Sequence, residues 1–341
     1  MQFHSDEQII GLVEAYMHGS DHPDQVGYRN QVATREFANK DLFLASLRRL
    51  AKVGEFRGKK RILDVGCGFG WQAFIFSLLD ERNSVVGIDI LPSMIEGMSE
   101  SIAAMRAKGI KFDLTAICGD VCDPSLELGL FDAIYSNEAI EHVHDLQAMF
   151  DRCASLLKPG GKLLLMNDSN VLNSKTRDET VAMWRDRESS WEWIEKLKIW
   201  RPVEHGEAKP FAVMREDIVR HANPKLDDNA VAIVVDNTAG LLKSEIVTLS
   251  ETYRPGMKFL EIGEYDRCRN PETGEYAERL LDPFKLADML EKSKLKTQVR
   301  HWFRRFPLNL ANGIQFRPLN NYLFELRGAF LVVGRKPLSP F

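Results

Sequence analysis

The sequence predicts an α/β protein built on a parallel sheet with helices on both faces. Three observations carry that reading. The apolar run Ile62-Leu63-Asp64-Val65 breaks at Gly66-Cys67-Gly68-Phe69-Gly70 into an apolar helical pattern from Trp71 to Leu79. That is the pattern of a buried strand turning sharply into a helix, with glycines that let a ligand touch the backbone. Strand-like and helix-like segments then alternate from residue 60 to 168, as repeated strand–helix units require. The alternation breaks off and resumes near the C-terminus, at a helix over Pro283 to Glu291.

Residues 5 to 58 read as helical, forming an N-terminal cap over 1–58. Gln8 to His18 and Asp41 to Lys52 carry apolar residues at three- and four-residue spacing, Phe43, Leu47 and Leu50 among them. Asp41 is the expected N-cap of the second helix. The polar stretch Gly19 to Asn30 between them reads as a loop and a candidate lid. In the core, 59–169, strands are expected at Ile62 to Val65, Ser84 to Ile88, Phe112 to Cys118, Phe131 to Ser136 and Lys162 to Asn167. Helices are expected at Trp71 to Leu79, Pro92 to Lys108 and His144 to Leu157, with Pro92 suited to a first turn. Residues 170–282 form an insertion holding Trp184, Trp191, Trp193 and Trp200, with helices near Pro210 to Ala222 and Asp227 to Leu242. Residues 283–341 return to the sheet through strands at Leu295 to Phe303 and Ala329 to Val333.

The 341 residues suffice for a large core, and 44% hydrophobic with 28% charged residues is ordinary for a globular protein. A formal charge of −4 argues against broad electrostatic binding of nucleic acid, which favours a basic face. No apolar run approaches the roughly 18 residues of a membrane span, and no secretory signal is expected from MQFHSDEQII. The five cysteines, Cys67, Cys118, Cys122, Cys153 and Cys268, form no C-x-x-C pair, so neither a disulfide framework nor a structural zinc site is expected. A reducing, cytoplasmic setting is the plain reading.

The glycine turn discriminates between cofactors. A dinucleotide fingerprint starting at Gly66 needs glycine or alanine at position 71, where this chain has Trp71. Asp89, closing the second strand, is placed for two ribose hydroxyls, a role that occurs with either cofactor class. Asp120, in Cys118-Gly119-Asp120-Val121, decides more, because an acid closing the third strand sits where an adenine amino group can donate to it. The competing reading of both acids is turn capping.

Taken together, LDVGCGFG at 63–70, VVGIDI at 85–90, CGDV at 118–121, FDAIYSNEAIEHV at 131–143 and LLKPGGKLLL at 156–165 resemble the class I S-adenosylmethionine-dependent methyltransferases. The resemblance covers residues 60 to 168 and not the insertion. It implies a Rossmann-like seven-stranded sheet with an antiparallel last strand, S-adenosylmethionine as methyl donor and S-adenosylhomocysteine as product. By position it implies that Gly66, Cys67 and Gly68 line the methionine end, with Asp64 near its ammonium group and Gly70 also a cofactor-binding residue. Asp89 then binds the ribose, Ile90 packs on the adenine, Asp120 and Val121 meet the adenine edge, and Asn137 lies near the sulfonium and the acceptor.

Methyl transfer from a sulfonium is an in-line displacement that needs alignment and exclusion of water, and needs a base only for a protonated acceptor such as a hydroxyl. On a helical turn, Glu138, Glu141 and His142 share one face. His142 is the candidate base, with Glu141 beside it, because imidazole titrates near neutrality; a purely structural role for the pair is the alternative. E-x-x-E-H is similar to the divalent-metal motif of ubiquinone-pathway O-methyltransferases and small-RNA 2′-O-methyltransferases. The pattern also occurs in metal-free relatives, and no resident metal is expected. The insertion is the expected source of substrate choice, through Trp191, Trp193, Trp200, Arg201 and His205, although Trp193, Leu197 and Trp200 at helical spacing read more simply as core. Lys294 to Arg305 carries five basic residues and no acid, and reads as a solvated strand face ahead of a phosphate site. The expected function is methylation of a small molecule, at a hydroxyl of a natural product or sugar. An RNA or protein methyltransferase and a non-catalytic cofactor-binding partner protein are the alternatives.

Overall fold

The computed structural model describes residues 6–305, 307–313 and 317–338. Its centre is a seven-stranded sheet. The strands are β1 (Arg61–Val65), β2 (Ser84–Asp89), β3 (Asp113–Cys118), β4 (Phe131–Asn137), β5 (Leu157–Asn167), β6 (Lys296–His301) and β7 (Phe330–Arg335). They lie in the order β3-β2-β1-β4-β5-β7-β6, with β7 antiparallel to both of its neighbours and the rest parallel. The order reverses between β1 and β4, and a ligand crevice forms beyond the carboxyl ends of strands at such a switch point.

Side chains alternate across the strands, so Ile62 faces one apolar core and Leu63 the other. The first core is covered by α1 (Asp6–Met17), α3 (Lys40–Gly54), α4 (Trp71–Leu78) and α5 (Pro92–Ala107). The second is covered by α6 (Leu146–Leu156), α13 (Pro283–Lys292) and α14 (Arg317–Leu326). Asn39, not Asp41, caps α3: its side chain accepts from the Leu42 amide at 3.0 Å.

The expected loop at Gly19 to Asn30 is a correction. From Pro23 the chain is helical, as α2 (Pro23–Arg35), and proline suits the first turn. The polarity that reads as solvation serves distant partners instead. Asp24 is fully buried and accepts from the amides of Val203 and Glu204 at 2.9 and 3.0 Å. Gln25, equally buried, donates to Ser101 of α5 at 2.8 Å.

The insertion leaves after β5 and returns at α13. It contains α7 (Ser174–Ser189), α8 (Trp191–Trp200), α9 (Pro202–His205), α10 (Phe211–Ala222), α11 (Asp228–Asn237) and α12 (Lys243–Thr252). Its two ends are tied together at the sheet, where Val171 donates to Leu281 at 2.9 Å and Leu281 to Ser169 at 2.7 Å. It has apolar cores of its own, one of Ile218, Val219, Val231, Val234 and Ile246, another of Trp184, Phe211, Cys268 and Leu280. On α8 only Ile194 is fully buried, while Trp193, Leu197 and Trp200 are half-buried. Among the described residues, no helix is long and apolar enough to cross a membrane.

Candidate active site

Asp64 is the residue before the end of β1, at the sheet's switch point. Asp64 is 2% exposed and its Oδ2 has no hydrogen-bond partner. Burial pushes its carboxyl up to about 8, with the charge of Asp89 adding to the rise and the Ala73 amide opposing it. An unpartnered buried carboxylate oxygen is costly unless a cation reaches it.

The turn after Val65 is shaped by its glycines. Gly66 has φ +68°, and a Cβ there would collide with the Cβ of Ala139 in the loop after β4. Gly68, at φ +52°, faces open space. Gly70 is the left-handed N-cap of α4. Cys67 turns its thiol inward, 3.7 Å from the Met98 sulfur, so only its backbone is available to a ligand.

Asp89 ends β2. Its Oδ2 accepts from the Gly68 amide at 2.9 Å and its Oδ1 from the Leu91 amide at 3.0 Å. Asp120 is exposed, and its Oδ1 accepts from the Cys122 amide at 2.8 Å. Both acids therefore do cap turns, and each carboxylate oxygen keeps a lone pair for a hydroxyl or amino donor. Ile90 is 55% exposed, an apolar surface beside Asp89, whereas Val121 is buried. Burial raises the Asp89 carboxyl, while the Leu91 and Gly68 amides and the charges of Arg201 and His142 pull it down.

Asn137 ends β4, in register with Met166 of β5. It opens on a cavity of about 50 Å³ walled by Phe43, Trp71, Phe76 and Tyr135, with Glu36 and Arg304 also lining it. Arg304, from the basic C-terminal segment, pairs with Glu36 at 2.7 Å. A larger, shallow depression of about 440 Å³ lies elsewhere, between Lys243 and the 269–274 turn, with His144 on its rim. None of the cofactor candidates lines it.

The chain after Asn137 is not the helical turn expected from its spacing. Glu138 adopts φ +48°, a conformation that side chains seldom take, and successive tight turns follow. The three residues therefore do not share one face. The Glu138 side chain is exposed, but its carboxyl end turns to Asp168, beyond the end of β5, and desolvation of that end together with the neighbouring acid raises it above its ordinary range. Its place beside Glu141 and His142 is taken by Glu278 of the insertion. Ligand atoms of Glu141, His142 and Glu278 lie within 4.8 Å of one another, close enough to hold a cation.

That triad is held firmly. Asn167 donates to Glu141 at 2.5 Å, and Ser169 donates to Glu278. His142 Nδ1 lies 3.0 Å from the Tyr276 carbonyl, and Nε2 lies 3.9 Å from Glu141. A carbonyl only accepts, so Nδ1 carries a proton, and the neutral form of His142 presents its lone pair at Nε2. Burial pushes Glu141 up to about 7, against the charge of His142. Burial lowers His142, but Glu141, Glu278 and the Tyr276 carbonyl outweigh it and leave the imidazole raised. Glu278 carries no sequence signal: it lies 136 residues beyond His142 and outside every recognised motif.

Residues 63–165 match the model of the methyltransferase domain family. Phosphoethanolamine N-methyltransferase 3 of Arabidopsis thaliana is 37% identical over 106 residues, which is 31% of this chain and 20% of that protein. Ubiquinone biosynthesis O-methyltransferase of Coxiella burnetii is 35% identical over 105 residues, 30% of this chain and 42% of its own. The chain thus spans well under half the length of these relatives. A solved methyltransferase in complex with the Haloferax volcanii Trm112 activator overlays with a TM-score of 0.47 at 13% identity, covering 95% of this chain and 97% of that one.

Proposed function

We propose that this chain, whose residues 63–165 form a class I S-adenosylmethionine-dependent methyltransferase domain, methylates a small-molecule acceptor, and that the reacting atom is a hydroxyl oxygen of a natural product or sugar. The observation that carries the reading is the unpartnered Asp64 oxygen at the foot of an open glycine turn. The donor-binding set is Asp64, the backbone at Gly66, Cys67, Gly68 and Gly70, Asp89, Ile90, Asp120, Val121 and Asn137. These residues fit the donor chemically: a buried acid for an ammonium, spare lone pairs for ribose hydroxyls and an adenine amino group, and an exposed apolar surface for a ring.

The bound donor supplies a methyl group on a positively charged sulfur, open to attack from the side opposite its leaving group. The protein's own part is alignment, dryness and removal of a proton. Asn137 lies at the strand end where donor and acceptor meet. His142, its Nδ1–H held by Tyr276, takes a hydroxyl proton at Nε2, and Glu141 steadies the imidazolium that results. The oxygen assignment rests on that available lone pair, because an amine that arrives neutral needs no base. We assign residues 1–58 to the cap, 59–169 and 283–341 to the sheet, and 170–282 to acceptor choice.

The test is release of S-adenosylhomocysteine in the presence of a panel of alcohols, phenols, sugars and amines, with the product located by mass spectrometry. Turnover on hydroxyl acceptors is expected. Turnover on amines alone removes the oxygen assignment. Binding of S-adenosylhomocysteine without turnover on any member makes the chain a cofactor-binding protein, and absence of binding removes the reading altogether.

A further inference from the structure

Every acid of the donor-binding crevice discussed so far is matched to a positive or neutral donor, yet the amino-acid end of the donor also bears a carboxylate. Asp64 and Asp89 make the neighbourhood negative, and a carboxylate brought there requires a positive partner. The insertion provides one.

Arg201 stands at the junction of α8 and α9, and this junction is fastened down on α2. Asp24 takes the amides of Val203 and Glu204, and a side chain at position 27 would strike the Trp200 carbonyl. Further along α2, Tyr28 packs on Phe69 of the glycine turn at 5.4 Å between ring centres, and its hydroxyl meets the Trp71 indole. The junction is therefore one layer of side chains above the turn. The Arg201 side chain is only 18% exposed and lies over the Trp200 ring at 4.2 Å, so its plane is fixed. Its Nε is buried with no hydrogen-bond partner.

Arg201 does have an ion pair with Glu204. Burial pushes that carboxyl up to about 7, against the charge of Arg201, and the buried Asp24 carboxylate lies at the same junction. The charge of Arg201 acts on both Asp89, at the end of β2, and Tyr28 of α2. A guanidinium held flat by stacking, with an unused N–H, suits a planar bidentate anion.

We infer that Arg201, delivered by the insertion onto α2, is the positioning residue that pairs with the α-carboxylate of the methyl donor. The inference rests on the donor site proposed above. It makes the insertion part of the donor site as well as of the acceptor site.

The experiment is titration calorimetry of the full chain with S-adenosylhomocysteine and with methylthioadenosine, which lacks the amino-acid end. Arg201→Ala is expected to weaken S-adenosylhomocysteine about ten- to hundredfold, the range for a charge-assisted hydrogen bond, and to leave methylthioadenosine within about twofold. Arg201→Lys, which keeps the charge and loses the fork, is expected to recover part of the loss and controls for folding. Equal weakening of both ligands, or unchanged S-adenosylhomocysteine binding, overturns the assignment. Unchanged donor binding with a raised KM for an anionic acceptor overturns it in favour of the acceptor as the source of the anion. Failure of the unsubstituted protein to bind either ligand is failure of the functional reading, and is thereby distinguished from failure of this one.

Discussion

Replacing Asp64 by asparagine is expected to stabilise the ligand-free protein while ruining its affinity for the donor. The Asp64 carboxyl stands at about 8 in the fold against 3.8 for the free group. The folded state therefore binds this proton more tightly than the unfolded chain, and stability falls as pH rises from about 4 to about 8. Between pH 3.8 and 7 the shift costs about 4 kcal/mol at 1.36 kcal/mol per unit. Asparagine removes that cost but buries an amide without acceptors, at about 2 kcal/mol. The net gain at pH 7 is about 2 kcal/mol, and at pH 5 it is about zero. For a chain of 341 residues, 1 kcal/mol moves Tm by about 1.4 °C, so a rise of about 3 °C is expected at pH 7 and none at pH 5. Differential scanning calorimetry at the two pH values reads the difference, and calorimetry with S-adenosylhomocysteine reads the lost ammonium contact as a drop of at least tenfold. A variant less stable than the parent at both pH values, or a difference that does not change with pH, would refute the picture of Asp64 as a buried acid waiting for a cation.

Three further outcomes follow from the geometry. Gly66→Ala meets both a positive φ and the Ala139 side chain, so a loss of more than about 2 kcal/mol in chemical denaturation and of donor binding is expected; a stable, binding-competent variant would mean that the turn is not the donor floor. A chelator is expected to leave turnover unchanged, because Glu141 and Glu278 already serve Asn167 and Ser169, whereas activity lost and then restored by magnesium or zinc would place a metal on Glu141, His142 and Glu278. His142→Ala is expected to lower kcat about 10²- to 10⁴-fold on hydroxyl acceptors with donor affinity unchanged. The parent's rate should also fall on the acid side as the raised imidazole protonates, and a variant that keeps the parent's pH profile would exclude His142 as base.

The latch between α2 and α9 shows why parts of this molecule are hard to read from the chain. Asp24 and Gln25 sit in a polar stretch that reads as a loop, and their partners are about 180 and 76 residues away. Local patterning gives no sign of such partners, because a polar residue kept for a buried hydrogen bond resembles one kept for water. The E-x-x-E-H spacing failed for a related reason. Its expected face assumed helical geometry, and the positive φ of Glu138 breaks it.

What the sequence by itself determined is the sheet, the glycine turn and the acids at the strand ends. These are encoded by short-range rules: alternation along strands, glycine where φ is positive, aspartate where a strand closes. Only the tertiary structure decided that Asp64 lacks a partner, that Glu278 and not Glu138 joins Glu141 and His142, and that Arg201 comes near enough for its charge to act on Asp89. The insertion that supplies Glu278 and Arg201 packs through its own small cores, and where it docks depends on contacts with α2 and the strand ends. No period in the chain records such a docking, because its energy comes from surfaces that meet only after each part has folded.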